Sequence, residues 1–234
     1  YLLYGEPFEY DGTENIGIKD GFYCFPDCGY TYLKRDGVEF FSISGQSFSH
    51  CHPDKGSFTI DLDGEPILID RGMVAYTEAC ADIISSSTAH NMAVPVVNGV
   101  MLSQHSQHGY GSVMKKSEYR DGKLEWICDN DNVWDKSLVI KNVRTIKSEN
   151  PFEYIITDEF EFTEPTQAAF ILNMYDREKV KAEPVNWKPL TTEYEPYSVD
   201  YAKRPVMRLV MLSEKNVKLT LTTKITIIKE REEC

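Results

Sequence analysis

The sequence predicts an all-β protein, a large antiparallel β-sandwich of supersandwich or jelly-roll-like form with little helix. Three observations carry this. Asx-Gly dipeptides recur between apolar runs, at Asp36-Gly37, Asp63-Gly64, Asn98-Gly99 and Asp121-Gly122. Each supplies the positive φ angles that a tight hairpin needs. The runs between them alternate with period two, which puts successive side chains on opposite sheet faces. No segment sustains an apolar period of 3.6 residues. A chain of 234 residues, 41% of them hydrophobic, can bury one sizeable core. All-β units commonly reach about 200–250 residues as one domain, so residues 1–234 are expected to form a single domain.

In chain order, Phe58, Ile60 and Leu62 share one strand face, and the run Ile67-Leu68-Ile69 returns after the Asp63-Gly64 turn. Glu78 to Ile84 has room for one or two helical turns. Phe152, Tyr154, Ile156, Phe160 and Phe162 alternate with Glu153, Thr157, Glu159 and Glu161. Residues 184–196, rich in Pro, Glu and aromatics, read as a long excursion between strands. The last strand alternates most clearly, Val217, Leu219, Leu221, Ile225 and Ile227 against Lys218, Thr220, Thr222 and Lys224.

The net charge of −12 argues against a broad electrostatic grip on nucleic acid or an anionic membrane. No stretch of about 18 apolar residues offers a membrane span. The opening residues, Tyr1-Leu2-Leu3-Tyr4-Gly5, lack both an initiator Met and a signal-peptide pattern, so the chain reads as a domain excised from a larger protein. The six cysteines show no repeated pair spacing. Cys24 and Cys28 have no second pair to complete a metal knuckle, and free thiols are expected. Lys34-Arg35 and Lys115-Lys116 read as solvated charge, and Trp126, Trp134 and Trp187 as core.

All five histidines lie between His50 and His108. In Ser49-His50-Cys51-His52-Pro53-Asp54-Lys55-Gly56-Ser57-Phe58, an extended backbone would project His50 and His52 to one side. The following hairpin returns at Asp70-Arg71-Gly72, and Ser87-Thr88-Ala89-His90-Asn91 comes later. Two histidines and an aspartate are a common zinc shell, so His52, Asp70 and His90 are the candidate ligands, with His50 facing the same cavity unmetallated. His105 and His108 sit in a polar segment and read as surface loop residues, with a substrate-rim role as the alternative.

Three blocks resemble the C-terminal domain of the heparinase II/III family of polysaccharide lyases: Phe25-Pro26-Asp27-Cys28-Gly29-Tyr30; His50 to Phe58 running into Gly64 to Gly72; and Ser87 to Asn91 followed by Val96-Val97-Asn98-Gly99. The specific motifs cover residues 20–100. The resemblance implies a β-sandwich joined to an N-terminal α/α toroid that is absent here. It implies β-elimination on an acidic, uronic-acid-containing polysaccharide or oligosaccharide in a cleft between the two domains. It implies His50 as the substrate-facing catalytic residue and a structural Zn2+ held by His52, Asp70 and His90. Asn91, His105 and His108 are carried as substrate-binding candidates. The family's tyrosine acid/base belongs to the toroid, so this chain alone is expected to be inactive. Two other readings stay open. A cupin-like metal enzyme would also use a His-x-His pair, but it would normally place a Glu soon after, which Pro53-Asp54-Lys55-Gly56-Ser57 lacks. A non-catalytic carbohydrate-binding sandwich would present exposed aromatics.

Overall fold

The computed structural model describes residues 19–48, 51–73, 78, 81–200 and 202–229, with side chains omitted at 196–199. Fifteen strands make up the fold among the described residues. They are β1 (Gly21–Phe25), β2 (Tyr30–Arg35), β3 (Val38–Ile43), β4 (Phe58–Leu62), β5 (Glu65–Leu68), β6 (Met92–Val97), β7 (Val100–Met101), β8 (Val113–Arg120), β9 (Lys123–Asp129), β10 (Val139–Asn150), β11 (Glu153–Met174), β12 (Val180–Pro184), β13 (Thr191–Val199), β14 (Pro205–Leu212) and β15 (Asn216–Ile227). Every pairing is antiparallel.

All four Asx-Gly pairs close hairpins with both residues at positive φ, for example Asp63 at 52° and Gly64 at 82°. These link β2 to β3, β4 to β5, β6 to β7 and β8 to β9. An added Cβ at Gly64 would meet nothing within 4 Å, so Gly64→Ala isolates the backbone cost. It is expected to destabilise by about 1–2 kcal/mol, read as a lower urea midpoint with an unchanged slope.

β11 is the spine of the molecule. Its first half pairs with β10 on one side and β15 on the other, and its second half pairs with β14 and β6. Burial follows this change. Tyr154, Ile156, Asp158, Phe160 and Phe162 point inward in strict alternation, whereas 168–174 is buried on both faces. The register breaks between Glu161 and Thr166, where Pro165 can donate nothing to a ladder. One layer is therefore β8-β9-β10-β11-β15-β12. The other runs β1-β2-β3-β4-β5 to the second half of β11 and on to β14 and β13, with β6 and β7 lying beside β5 along that same edge of β11.

The two layers face each other across an apolar core. Phe40 of β3 stacks on Phe58 of β4 at 6.2 Å and on Tyr154 of β11, in the opposite layer, at 5.5 Å. Full burial of such a ring contributes about 1.5–3 kcal/mol. Trp126 and Trp134 lie in this core, with Trp187 packed against it. A short helix, Ala81–Ile84, falls within the predicted helical stretch.

Three expectations need correction. Residues 184–196 are not all excursion, because from Thr191 onward the chain pairs with β14 as a strand. Arg35 is not solvated charge: it is 7% exposed and its guanidinium reaches the other layer, donating to the Asn150 carbonyl at 2.8 Å and also bonding Gly122 O and Ser148 Oγ. His52 is not on a strand either. Pro53 lacks a ladder donor and Gly56 sits at φ 89°, so backbone pairing with β3 begins only at Gly56 and the regular strand at Phe58.

Candidate functional site

Three segments meet at one end of the sandwich. His52 lies in the loop before β4, Asp70 follows β5, and His90 closes the 3-10 turn Ser87–Ala89 ahead of β6. The rings of His52 and His90 are 5.4 Å apart, and His90 Nδ1 lies 2.7 Å from Asp70 Oδ2. Asp70 is held by its own turn, its Oδ1 accepting from the Gly72 N–H at 2.7 Å. His50 lies outside the described residues.

Hydrogen bonds to backbone atoms set this convergence. Ser87 Oγ donates to the Pro53 carbonyl at 2.6 Å and accepts from the Gln104 N–H at 2.9 Å. The Gln104 amide grips the backbone of Lys55, donating to its carbonyl at 2.8 Å and accepting from its N–H at 2.9 Å. The Asn91 amide donates to the carbonyls of Phe58 and Ile69 and accepts from the Asn173 N–H. Beneath them Arg144 of β10, 1% exposed, donates to the carbonyls of Gly56 at 2.9 Å and Asn91 at 2.8 Å. Its Nε and Nη2 grip both carboxylate oxygens of Asp158, itself 2% exposed, at 2.7 and 2.9 Å. The three histidine- and aspartate-bearing segments are thus tied to each other and to the opposite layer. Gly56 permits the close approach: a Cβ there would stand 2.5 Å from Asn130 Nδ2.

Charge follows the same geometry. At His90, burial disfavours the imidazolium, but the charge and hydrogen bond of Asp70 outweigh it and raise the net affinity for a proton. At Asp70, burial pushes the carboxyl up, while His90 and the Gly72 N–H hold it below its ordinary range. Burial, and then the charge of His90, lowers His52. His90 Nε2 is buried without a hydrogen-bond partner. An imidazole fixed through one nitrogen by a carboxylate, with the other nitrogen unspent, is the form in which histidine binds metals. His52, Asp70 and His90 are zinc-ligand types, but here Asp70 spends its oxygens on His90 Nδ1 and the Gly72 N–H. Among the described residues, however, no three such side chains stand in metal-holding geometry.

A cavity of about 570 Å³ opens above this cluster, lined by His52, Asp70, Asp54, Lys55, Tyr30 and Phe48 among others. Lys55 is 3% exposed and paired to Asp54 at 2.9 Å. His90 and Asn91 lie beneath the cavity and do not line it. Asn91, carried as a substrate-binding candidate, is buried, and its amide is bonded to three backbone groups. His108 is exposed, its ring 6.3 Å from the lining residue Phe48, and His105 stacks on Tyr110 at 4.3 Å, so neither lines the cavity. Cys24, Cys28, Cys51 and Cys128 are free thiols.

The sequence pattern alone did not single out Arg144, Asp158 or Gln104. A signal existed for Asp158, a carboxylate at an inward position of an otherwise apolar alternation, which requires a buried cation.

The family model described as Heparinase II/III-like, C-terminal, matches residues 20–193. No curated protein sequence matches the chain. A solved heparinase III gene product superimposes with a TM-score of 0.75 at 16% identity over 95% of this chain. The heparan sulfate lyase HepC from Pedobacter heparinus does so with 0.72 at 11% over 95%. A further heparinase III gives 0.64 at 14% over 90%. The likeness to these structures is one of fold, and the chain spans only 38%, 38% and 37% of their respective lengths.

Proposed function

Because the chain belongs to the heparinase II/III-like C-terminal family, we propose that it is the β-sandwich domain of a polysaccharide lyase that cleaves uronic-acid-containing chains by β-elimination. The supporting observation is the convergence of His52, Asp70 and His90 beneath an open cavity at one end of the sandwich. In this reaction the C5 proton, next to the uronate carboxylate, is removed, the C4–O bond breaks, and a C4–C5 double bond forms while the leaving oxygen takes a proton. Negative charge builds on the carboxylate, so a cationic or hydrogen-donating group must meet it. His50 is assigned that role, with proton abstraction as its alternative use on one sugar epimer. His105 and His108 are assigned a substrate-contacting role from outside the cavity lining. The remaining acid/base groups come from an N-terminal toroid, so the isolated domain is inactive. The direct test is the complete native protein incubated with unsulfated and sulfated uronide polysaccharides. Growth of ultraviolet absorbance from unsaturated chain ends supports elimination, and reducing ends without that absorbance refute it.

His52, Asp70 and His90 are also proposed to hold a structural zinc ion. When bound, it would fix the loop geometry without activating water, because elimination uses none. Metal-replete protein is expected to carry about one zinc per chain. His52→Ala and His90→Ala should each lose it and melt at lower temperature. Elemental analysis decides this, and wild-type protein without zinc removes the proposal.

A further inference from the structure

The outer face of β1, β2 and β3 carries an aromatic surface that the proposed chemistry does not use. Register places Tyr23, Tyr32 and Phe41 in one row across the three strands, and Phe25, Tyr30 and Ile43 in the next. These are the outward positions, since Leu33, Val38 and Phe40 at the alternate positions are buried. Phe25 is 53% exposed, Tyr30 40% and Tyr23 38%. The rings lean on one another, Tyr30 on Phe41 at 5.5 Å and Tyr23 on Tyr32 at 6.0 Å. Exposed rings grouped on one face, rather than scattered singly, point to an interaction surface.

Three features identify what fits there. The surface is continuous with the candidate site, because Tyr30 and Ile43 line the cavity as well as belonging to the rows. The charged groups on the face are spent on each other: Lys34 bonds Glu39 at 2.7 Å, and the Tyr32 hydroxyl donates to Glu39 at 2.6 Å. The cavity itself presents Asp27, Asp54 and Asp70 against one ammonium, Lys55, already paired. A ligand leaving the cavity along this path therefore meets aromatic faces and no unpaired cation among the lining residues. A pyranose ring presents an apolar face of C–H bonds that stacks on an aromatic ring while its hydroxyls stay in water. A chain of anionic sulfates would gain nothing here.

Resting on the lyase reading above, we infer that the β1–β3 face is an extended sugar-binding track. It would hold pyranose units beyond the cleavage point of a long, sparsely sulfated uronide chain, with Tyr30 at the junction and Tyr23 and Phe25 as its outer stacking platforms.

The test uses the complete native protein and unsulfated uronide oligosaccharides that differ only in length. Tyr23→Ala and Phe25→Ala should each raise KM for the long oligosaccharide by roughly three- to tenfold. Both should leave KM and kcat for the shortest cleavable one unchanged. Equal effects on short and long substrates, or no effect on either, overturn the inference. So does a change in the sedimentation coefficient of the unliganded variants, which would show that protein covers this face. If wild type cleaves none of the substrates, the lyase reading fails, and calorimetric binding of the same oligosaccharides becomes the readout. Affinity that grows with length in wild type and is lost in the variants upholds the track, and any other binding pattern overturns it.

Discussion

Replacing Asp158 with asparagine is expected to cost about 3–5 kcal/mol of folding stability. The change is nearly isosteric, yet it leaves the Arg144 guanidinium, 1% exposed, without its countercharge. Arg144→Met should cost a similar amount for a different reason. It leaves the Asp158 carboxylate buried without a cation and strips donors from the carbonyls of Gly56 and Asn91. The double variant Arg144→Met/Asp158→Leu separates these contributions. Buried ion pairs replaced by apolar residues are often neutral, so it should recover much of the loss. The two carbonyls of Gly56 and Asn91 still lack their donor, so part of the loss persists. Urea denaturation of the three variants measures this. Single variants within about 1 kcal/mol of wild type would show that water or a rearranged loop already serves these groups. The singles should also loosen the His90 segment, because Asn91 O is an anchor next to it.

That dependence explains what could be read in advance and what could not. Hairpins were legible because Asp36, Asp63, Asn98 and Asp121 each precede a glycine, and the chemistry of such a turn is local. The inward faces of β11 and β15 were legible because alternation is local too. The joining of β10 to the loop before β4 was not, since Arg144 and Gly56 are 88 residues apart and no spacing rule links them. The burial of Arg35 escaped for the same reason: beside Lys34 it looks like surface charge, and only the approach of the second layer through Ser148 and Asn150 reverses that. His52, Asp70 and His90 were singled out as residue types in a plausible order, and the fold brings them together. Their proximity comes from Ser87, Gln104 and Asn91, uncharged residues whose value lies in the backbone groups they reach. Asn91, carried as a substrate-binding candidate, is one of these ties.

In the complete protein, His50→Ala is expected to lower kcat on a uronide polymer by about a hundred- to ten-thousand-fold, the range for losing a positioned proton donor or acceptor. The elimination develops charge on the uronate carboxylate, and a group that meets this charge only in the transition state acts on kcat more than on KM. The proposed division of labour makes the result specific. His50 is two residues before His52 but outside the proposed ligand set, so His50→Ala should keep wild-type zinc content and a melting temperature close to wild type. His52→Ala should lose both metal and stability, and activity only as a consequence. Measuring kcat, zinc and melting temperature on the same preparations tells the two positions apart. If His50→Ala retains kcat within about tenfold of wild type, the histidine neither neutralises the carboxylate nor takes the proton, since either task is worth more than that. If instead it loses zinc together with His52→Ala, His50 belongs to the metal shell, and the group facing the substrate must be sought elsewhere on the cavity wall, where Tyr30 and Lys55 are candidates.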